Sequence, residues 1–538
     1  MTIVSGPTLP PLEGMTWIGD YVRKGAEACP DLTAIIVPEL GVRYDYRELD
    51  RRVGRAAAWL RDQGLQSGDR LAYYGKNNDI FYVMLFAAIR SGIVVVPFNW
   101  RCVEPEIAFF MRDSTSRLLI CDGEFEQIGR SVCAAMDSPP PVFFTENING
   151  GDSLRAILSA DGPTVDEAIE WTQDAVCLHL YTSGTTGQPK GVLSRHHGLS
   201  VARFQEHSWA DFPNWKGGTI VSAMPNFHIG GMSWILMGLL RQSTCVLTAD
   251  ASASNILRLV VEHQAERTFA VPTVVRSIVD EARSAGLSMP WLKTIFYGAA
   301  PMSPSLLADA IEVLGCSFGQ FFGMTEITGT ATFLMPQSHD LSRPRLLGSV
   351  GQPYPGIDIE IRDPVEGISV DNGVAGEIWI RSPTVMREYW HRPDATAEVL
   401  RDGWYRSGDG GYVDEEGFLF LTDRIKDVIV SGGENVYPGE VEEALRRFPD
   451  VYEVAVVAIP HIKWGEAVAA LVEARPGTTV DTLALIDFAR TQVAPYKCPK
   501  RISVVEALPR TASGKIQRPA ARKMMLEIVE AESLPQGS

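Results

Sequence analysis

What this chain lacks narrows the field first. Its eight cysteines, Cys29, Cys102, Cys121, Cys133, Cys177, Cys245, Cys316 and Cys498, are scattered over 538 residues with no C-x-x-C pair and no histidine cluster. That spacing argues against a disulfide scaffold or a zinc ribbon and reads as reduced thiols, mostly in the core. No apolar run is long enough to span a bilayer, the most apolar being residues 80–89. Residues 1–14 lack a signal-peptide pattern and residues 534–538 carry no peroxisomal tripeptide, so a cytoplasmic location is expected. Excess positive charge is also missing: 49 Lys and Arg against 66 Asp and Glu give a formal net charge of −17 at pH 7. Nucleic acid is therefore not expected as a partner, and any phosphate site must be local. With 45% hydrophobic and 21% charged residues the chain is neither disordered nor fibrous. No repeat or low-complexity tract is present.

A chain of this length implies two or more domains. Residues 45–64 show helix punctuation: Asp45 as cap, Glu48 three residues on, Leu49, Val53, Ala56, Ala57 and Leu60 at helical spacing, and Gly64 as the stop. Residues 70–74, 80–90 and 93–97 then read as strand, helix and strand, a βαβ crossover. Short apolar runs recur at 220–224, 245–248, 268–271 and 294–297, each separated by a helix length, so the main body is α/β. From about residue 345, turn signals such as Asp371-Asn372-Gly373 and Asp414-Glu415-Glu416-Gly417 punctuate short strands at 377–381 and 418–421, which reads as a β-rich subdomain. Beyond residue 424 short α/β elements return, with helices expected at 438–448 and 480–492 and a strand at 454–459. The expected fold class is α/β. A large N-terminal domain, residues 1–424, comprises α/β layers plus the β-rich subdomain of 345–424, and a small α+β domain spans 425–538.

The stretch Thr182-Ser183-Gly184-Thr185-Thr186-Gly187-Gln188-Pro189-Lys190-Gly191 places four hydroxyls, three glycines and one lysine in a single loop. Glycines let backbone amides approach phosphate oxygens, hydroxyls add neutral donors, and lysine adds a compact charge. This loop is built for a polyphosphate. It is not a Walker A loop: its glycines are three apart, Pro189 precedes the lysine, and Gly191 replaces the magnesium-binding hydroxyl.

Seven further segments follow that loop in order: Pro225-Asn226-Phe227-His228-Ile229-Gly230-Gly231, Tyr297-Gly298-Ala299-Ala300-Pro301, Phe322-Gly323-Met324-Thr325-Glu326, Tyr405-Arg406-Ser407-Gly408-Asp409, Asp423-Arg424-Ile425-Lys426-Asp427, Gly432-Gly433-Glu434-Asn435-Val436-Tyr437-Pro438 and Pro509-Arg510-Thr511-Ala512-Ser513-Gly514-Lys515. Together, over roughly residues 15–525, they resemble the adenylate-forming superfamily of acyl-CoA synthetases, adenylation domains and luciferases. The resemblance implies an ATP-dependent carboxylic acid:CoA ligase, with ATP, Mg²⁺ and coenzyme A as cofactors. A carboxylate attacks the α-phosphate of ATP, pyrophosphate leaves, and a thiol then attacks the acyl-adenylate. Two anions meet, so positioning and charge neutralisation matter more than a protein nucleophile.

Carried over from the family, Thr182, Ser183, Gly184, Thr185, Thr186, Gly187 and Lys190 would clasp the β- and γ-phosphates. Thr325 would bond the α-phosphate, and Glu326, with Thr185, would hold Mg²⁺. Gly298, Ala299, Ala300, Phe322 and Gly323 would line the nucleotide site. Asp409 would accept the ribose hydroxyls and Arg424 would contact the ribose. Lys515 would reach the attacking carboxylate in the first half-reaction only. Lys426 would be the hinge of a mobile C-terminal domain, and Gly432 and Gly433 would face the pantetheine arm. His228 reads either as a gate near the tunnels or as a packing residue, and Phe322 either as an adenine stack or as core. Many relatives carry tyrosine where Phe322 stands, and threonine where Ser407 stands.

The acyl pocket is expected from Ile229, Gly230, Met232, Val271, Thr273, Tyr297, Met324, Thr328 and Gly329. No basic residue lies among them to pair with a second carboxylate, which suits a hydrophobic monocarboxylic acid, whether fatty, aryl or alicyclic. Three alternatives stand beside the ligase. An adenylation enzyme serving a carrier protein usually places an aspartate where Ile229 stands; a luciferase would need a special substrate; a non-catalytic relative would not need Glu326, Asp409 and Lys515 together. The oligomeric state, a homodimer included, is left open.

Overall fold

The computed structural model describes residues 3–146, 153–182, 189–300, 302–424, 427–431, 434–461, 464–511 and 515–533. The chain divides into two compact units: one is Ser5–Asp358 with Ile380–Tyr405, the other Met1–Val4, Ile359–Trp379 and Arg406–Ser538. The stretch 345–424, expected as one β-rich subdomain, is shared between them.

The larger unit is built on two sheets. In one, the order is Glu388–Tyr389, Lys190–Arg195, Val176–Thr182, Val94–Phe98, Arg70–Tyr74, Leu118–Cys121 and Val142–Phe144. The expected crossover is here: Arg70–Tyr74 and Val94–Phe98 run parallel in register, joined by helix Asp79–Arg90. All twelve residues of that helix are buried, and its sequence is accordingly apolar on every side rather than on one stripe. The second sheet passes through Ser349–Pro353, Gly329–Leu334, Ser317–Met324, Thr294–Gly298, Arg267–Ala270, Thr219–Ser222, Thr244–Leu247, Thr33–Val37 and Val42–Asp45. Its central strands, the four apolar runs seen in the sequence, are parallel. Helix Tyr46–Asp62 begins where expected, with Asp45 accepting from the Glu48 backbone N–H at 2.7 Å.

The smaller unit contains most of the antiparallel pair Trp404–Val413 and Leu419–Arg424, from Arg406 onward, and a C-terminal α+β layer. There the long hairpin Val451–His461 and Gly465–Ala474 pairs antiparallel, and Arg501–Val505 adds in parallel. Alternation sorts its residues onto two faces. Val454, Val456, Val468, Ala470 and Val472 join the core with helices Pro438–Arg446 and Thr482–Gln492; Ala455, Val457, Ala469 and Leu471 join Ala521 and Met525 of helix Arg518–Ser533. All eight cysteines are unpaired. No helix among the described residues is long and apolar enough to cross a membrane.

Candidate active site

The stretch expected to hold a polyphosphate connects two antiparallel strands whose last pair is Thr182 opposite Lys190. Ser183, Gly184, Thr185, Thr186 and Gly187 lie outside the described residues, but the anchors at both ends are fixed. The Thr182 hydroxyl donates to the Lys190 carbonyl at 3.5 Å. The Lys190 ammonium stands 5.0 Å from the centroid of the Tyr389 ring, within cation–π range. The Tyr389 hydroxyl in turn donates to Glu326 Oε1 at 2.8 Å. The strand Glu388–Tyr389 pairs with Lys190–Arg195, setting Tyr389 opposite Val192, and the Met386 N–H donates to the Glu326 carbonyl at 2.6 Å. Residues 190, 326 and 389 thus form one row. Burial, then the Glu326 charge, holds the Tyr389 hydroxyl well above its usual range, so it stays a donor.

Tyr389 was missed in the sequence. An aromatic residue in Arg387-Glu388-Tyr389-Trp390 looks like any core aromatic until strand pairing carries it beneath Lys190.

Thr325 and Glu326 open a 3₁₀ turn, Thr325–Ile327, that follows strand Ser317–Met324. The turn is closed by Thr328 in the left-handed region at φ 57°, whose N–H donates to the Thr325 carbonyl at 2.9 Å, and the Thr384 hydroxyl holds the Ile327 carbonyl at 2.8 Å. Just upstream the register shifts between Phe322 and Gly323. A Cβ on Gly323 would lie 1.8 Å from the Gly329 carbonyl oxygen, so only glycine fits this approach of two strands. Phe322 is buried opposite Thr332, while Met324, opposite Gly329, is half-buried. Gly298 ends the strand Thr294–Gly298, and Ala299 follows at φ 67°, a conformation an L side chain adopts at a cost and that clusters at functional sites. Ala299 is exposed and Ala300 half-buried.

The expected acyl-pocket residues divide. Ile229 and Met232 are buried on helix Ile229–Leu240; a Cβ on Gly230 would sit 3.3 Å from the Phe269 ring. His228 is the half-buried N-cap residue of that helix, its ring centroid 4.5 Å from that of Phe227. Val271 caps helix Pro272–Ala285 and Thr273 stands half-buried in its first turn. Tyr297 is corrected: alternation turns it to the face opposite Phe296, where it is wholly buried with Ile295, Phe318 and Leu347. Its hydroxyl is 3.1 Å from both Gln320 Oε1 and His339 Nε2. Burial drives the His339 imidazole down to about 4, leaving it neutral. The ring is part of the core, not a pocket wall.

No basic residue occurs in the pocket segments themselves, yet the fold brings one from elsewhere. Arg203, on helix His196–Ser208, lies with a guanidinium nitrogen 3.7 Å from where a Cβ on Gly329 would be. In the sequence Arg203 and Glu206 look like an ordinary surface pair at helical spacing.

In the smaller unit, Asp409 and Arg424 are Cα partners in the register of two antiparallel strands. The Ser407 hydroxyl donates to the Ile378 carbonyl at 2.7 Å and accepts from the Asp409 N–H at 3.0 Å, so serine does here what the strand needs. Lys515 is exposed: its N–H donates to Thr511 Oγ1 at 3.1 Å, and the Thr511 N–H donates to its carbonyl at 2.7 Å. Lys426, Gly432 and Gly433 lie outside the described residues. Among the described residues no cluster of three metal-ligating side chains occurs. Glu326 contributes one carboxylate, a donor of the hard oxygen type.

Residues 22–390 match the AMP-binding enzyme family model and residues 440–515 the AMP-binding enzyme C-terminal domain. The chain belongs to the AMP-binding enzyme family. It is similar to a fatty acid–[acyl-carrier-protein] ligase of Streptomyces coeruleorubidus, 38% identical over 475 residues, covering 88% of this chain and 90% of that protein. A long-chain-fatty-acid–CoA ligase of Mycobacterium tuberculosis is 34% identical over 514 residues, covering 94% and 98%. Among solved structures, the ATP-bound MatB of Rhodopseudomonas palustris superposes with a TM-score of 0.84 at 27% identity, covering 95% of this chain and 99% of that one.

Proposed function

We propose that the protein activates a carboxylic acid with ATP and transfers the acyl group to coenzyme A, as an AMP-forming acid–thiol ligase. The row Lys190, Tyr389 and Glu326 carries this reading, because it links the lysine that follows the glycine-rich loop to a carboxylate through one tyrosine. In the first step a carboxylate oxygen bonds to the α-phosphorus and the bond to pyrophosphate breaks. Lys190 and the loop neutralise the departing pyrophosphate, and Thr325 hydrogen-bonds the α-phosphate. Glu326, oriented by Tyr389, is the residue that would hold Mg²⁺, and the ion when bound would offset phosphate charge. In the second step a thiol displaces AMP from the acyl carbon and gives up its proton.

Asp409 and Arg424, set opposite each other on paired strands, bind the ribose. Gly298, Ala299, Ala300, Phe322 and Gly323 line the nucleotide site. Lys515 serves adenylate formation only. Lys426 is the hinge for rotation of the C-terminal domain between half-reactions, and Gly432 and Gly433 accommodate the pantetheine arm. The substrate is a largely hydrophobic acid, with Ile229, Gly230, Met232, Val271, Thr273, Met324, Thr328 and Gly329 around it and His228 at the mouth. The similarity to a carrier-protein ligase favours one second reading, in which the acceptor is a phosphopantetheinyl carrier. A panel of fatty, aryl and alicyclic acids with ATP and Mg²⁺, read first for pyrophosphate and then for thioester on coenzyme A or a holo carrier protein, tests both. Silence across the panel would overturn the ligase reading.

A further inference from the structure

Beside the pocket segments lies a buried polar group that an apolar acid leaves unused. Arg203 and Glu206, with side chains 2% and 1% exposed, form an ion pair at 2.9 Å. An Arg203 terminal nitrogen also donates to the Ser233 carbonyl at 3.3 Å. Beyond those contacts Arg203 Nε, both Glu206 carboxylate oxygens, Ser233 Oγ and Thr328 Oγ1 are buried without a hydrogen-bond partner among the described residues. Buried polar atoms are rarely left so, because each then forfeits its hydration without replacement. Their position is informative. Ser233 follows Met232 on helix Ile229–Leu240, Thr328 precedes Gly329, and a Cβ on Gly329 would meet nothing within 4 Å except the Arg203 guanidinium. The missing side chain at Gly329 therefore leaves space beside the Arg203 guanidinium, which in turn holds Glu206.

We propose that the acid this enzyme activates carries, remote from its carboxylate, an uncharged group that both donates and accepts hydrogen bonds, a hydroxyl or an amide, held at the Arg203–Glu206 pair. The inference rests on the ligase reading above and specifies its substrate class. A neutral group fits because the two charges already meet each other. A second carboxylate would confront Glu206, and an ammonium would confront Arg203, each at the cost of an uncompensated buried charge. The neighbouring Arg241, whose charge also acts on Glu206, is engaged by partners of its own. Its guanidinium donates to Asn214 Oδ1 at 3.1 Å and lies 4.3 Å from the Trp215 ring centroid. A hydroxyl or amide uses both sides, donating to Glu206 and accepting from Arg203.

The test uses pairs of alkanoic and arylpropenoic acids, each beside its terminally hydroxylated form, together with the matching dicarboxylic acids. Binding is read by calorimetry without ATP, and turnover by pyrophosphate release. The expected result is that, in at least one pair, the hydroxylated acid binds more tightly and is turned over with kcat/KM higher by about tenfold or more, since a site built to hydrogen-bond rejects the analogue lacking the group. That ratio should collapse towards one in Glu206→Gln, and in Arg203→Met combined with Glu206→Leu where melting shows the double variant folded. A purely structural pair, solvated by water, would lower both members of each pair alike. Preference for the plain acid in every pair, preference for the dicarboxylic acids, or a ratio untouched by the variants overturns the proposal. The two readings fail separately. Pyrophosphate release with plain acids alone leaves the ligase and removes the polar subsite, whereas tight binding of hydroxylated acids without pyrophosphate release does the reverse.

Discussion

Replacing Tyr389 with phenylalanine isolates one atom of the site. The ring remains beneath the Lys190 ammonium, 5.0 Å from its centroid, and keeps its packing, while the 2.8 Å hydrogen bond to Glu326 is lost. A hydrogen bond to a charged group contributes about 1.5–3 kcal/mol net, and each 1.4 kcal/mol, approximately, is a factor of ten. If Glu326 must be held in place to accept Mg²⁺, kcat/KM for ATP in adenylate formation should therefore fall by about tenfold to a hundredfold. The assay is pyrophosphate release at saturating acid, run beside conversion of supplied acyl-adenylate and coenzyme A to thioester. The second reaction needs no pyrophosphate clasp and should be nearly unaffected. Because burial and the Glu326 charge keep the Tyr389 hydroxyl protonated, the deficit should be constant through neutral and mildly alkaline pH. A loss below twofold, or equal loss in both half-reactions, would refute the positioning role.

Three other outcomes follow from single residues. Lys515→Ala should abolish adenylate formation yet still convert supplied acyl-adenylate to thioester, and equal loss in both would sink the assignment to one half-reaction. Gly323→Ala forces a methyl to within 1.8 Å of the Gly329 carbonyl oxygen; a drop in urea stability of about 1–3 kcal/mol is expected, and an unchanged midpoint would contradict the strand approach. His196 stacks between Trp17 and Trp171, with centroids 5.6 and 4.4 Å away, and burial lowers its imidazole from 6.5 to about 3. Between those values the unfolded chain binds the extra proton, so stability declines as pH falls below 6.5. His196→Phe should keep the stack and flatten the fall in Tm on the acid side, and an unaltered slope would count against the buried neutral imidazole.

Local signals carried the elements whose pattern is their own. Asp45 and Glu48 marked a helix start that the fold keeps, and the parallel strands of the central sheet announced themselves as short apolar runs because both their faces are covered. What escaped was set by partners distant in sequence. Nothing in Gly465–Ala474, rich in alanine, predicts a strand until it pairs along the whole of Val451–His461; tertiary pairing overrides its helical propensity. Tyr297 was assigned to the pocket from its place in a motif, but strand alternation sends its ring to the opposite face. Tyr389 and Arg203 show the same limit at the site. Each looks ordinary in its own segment and acquires a role only where pairing or helix packing brings it to Glu326 or to Gly329.

The central claim is that an acid is activated as its adenylate, and the fate of one oxygen tests it most directly. When an accepted acid labelled with oxygen-18 in its carboxylate is incubated with ATP, Mg²⁺ and coenzyme A, the oxygen that attacks the α-phosphorus must leave with AMP. Mass spectrometry should find one labelled oxygen in AMP, and unlabelled pyrophosphate in equal amount. Label in inorganic phosphate alongside ADP, or thioester formed with unlabelled AMP, would contradict the account.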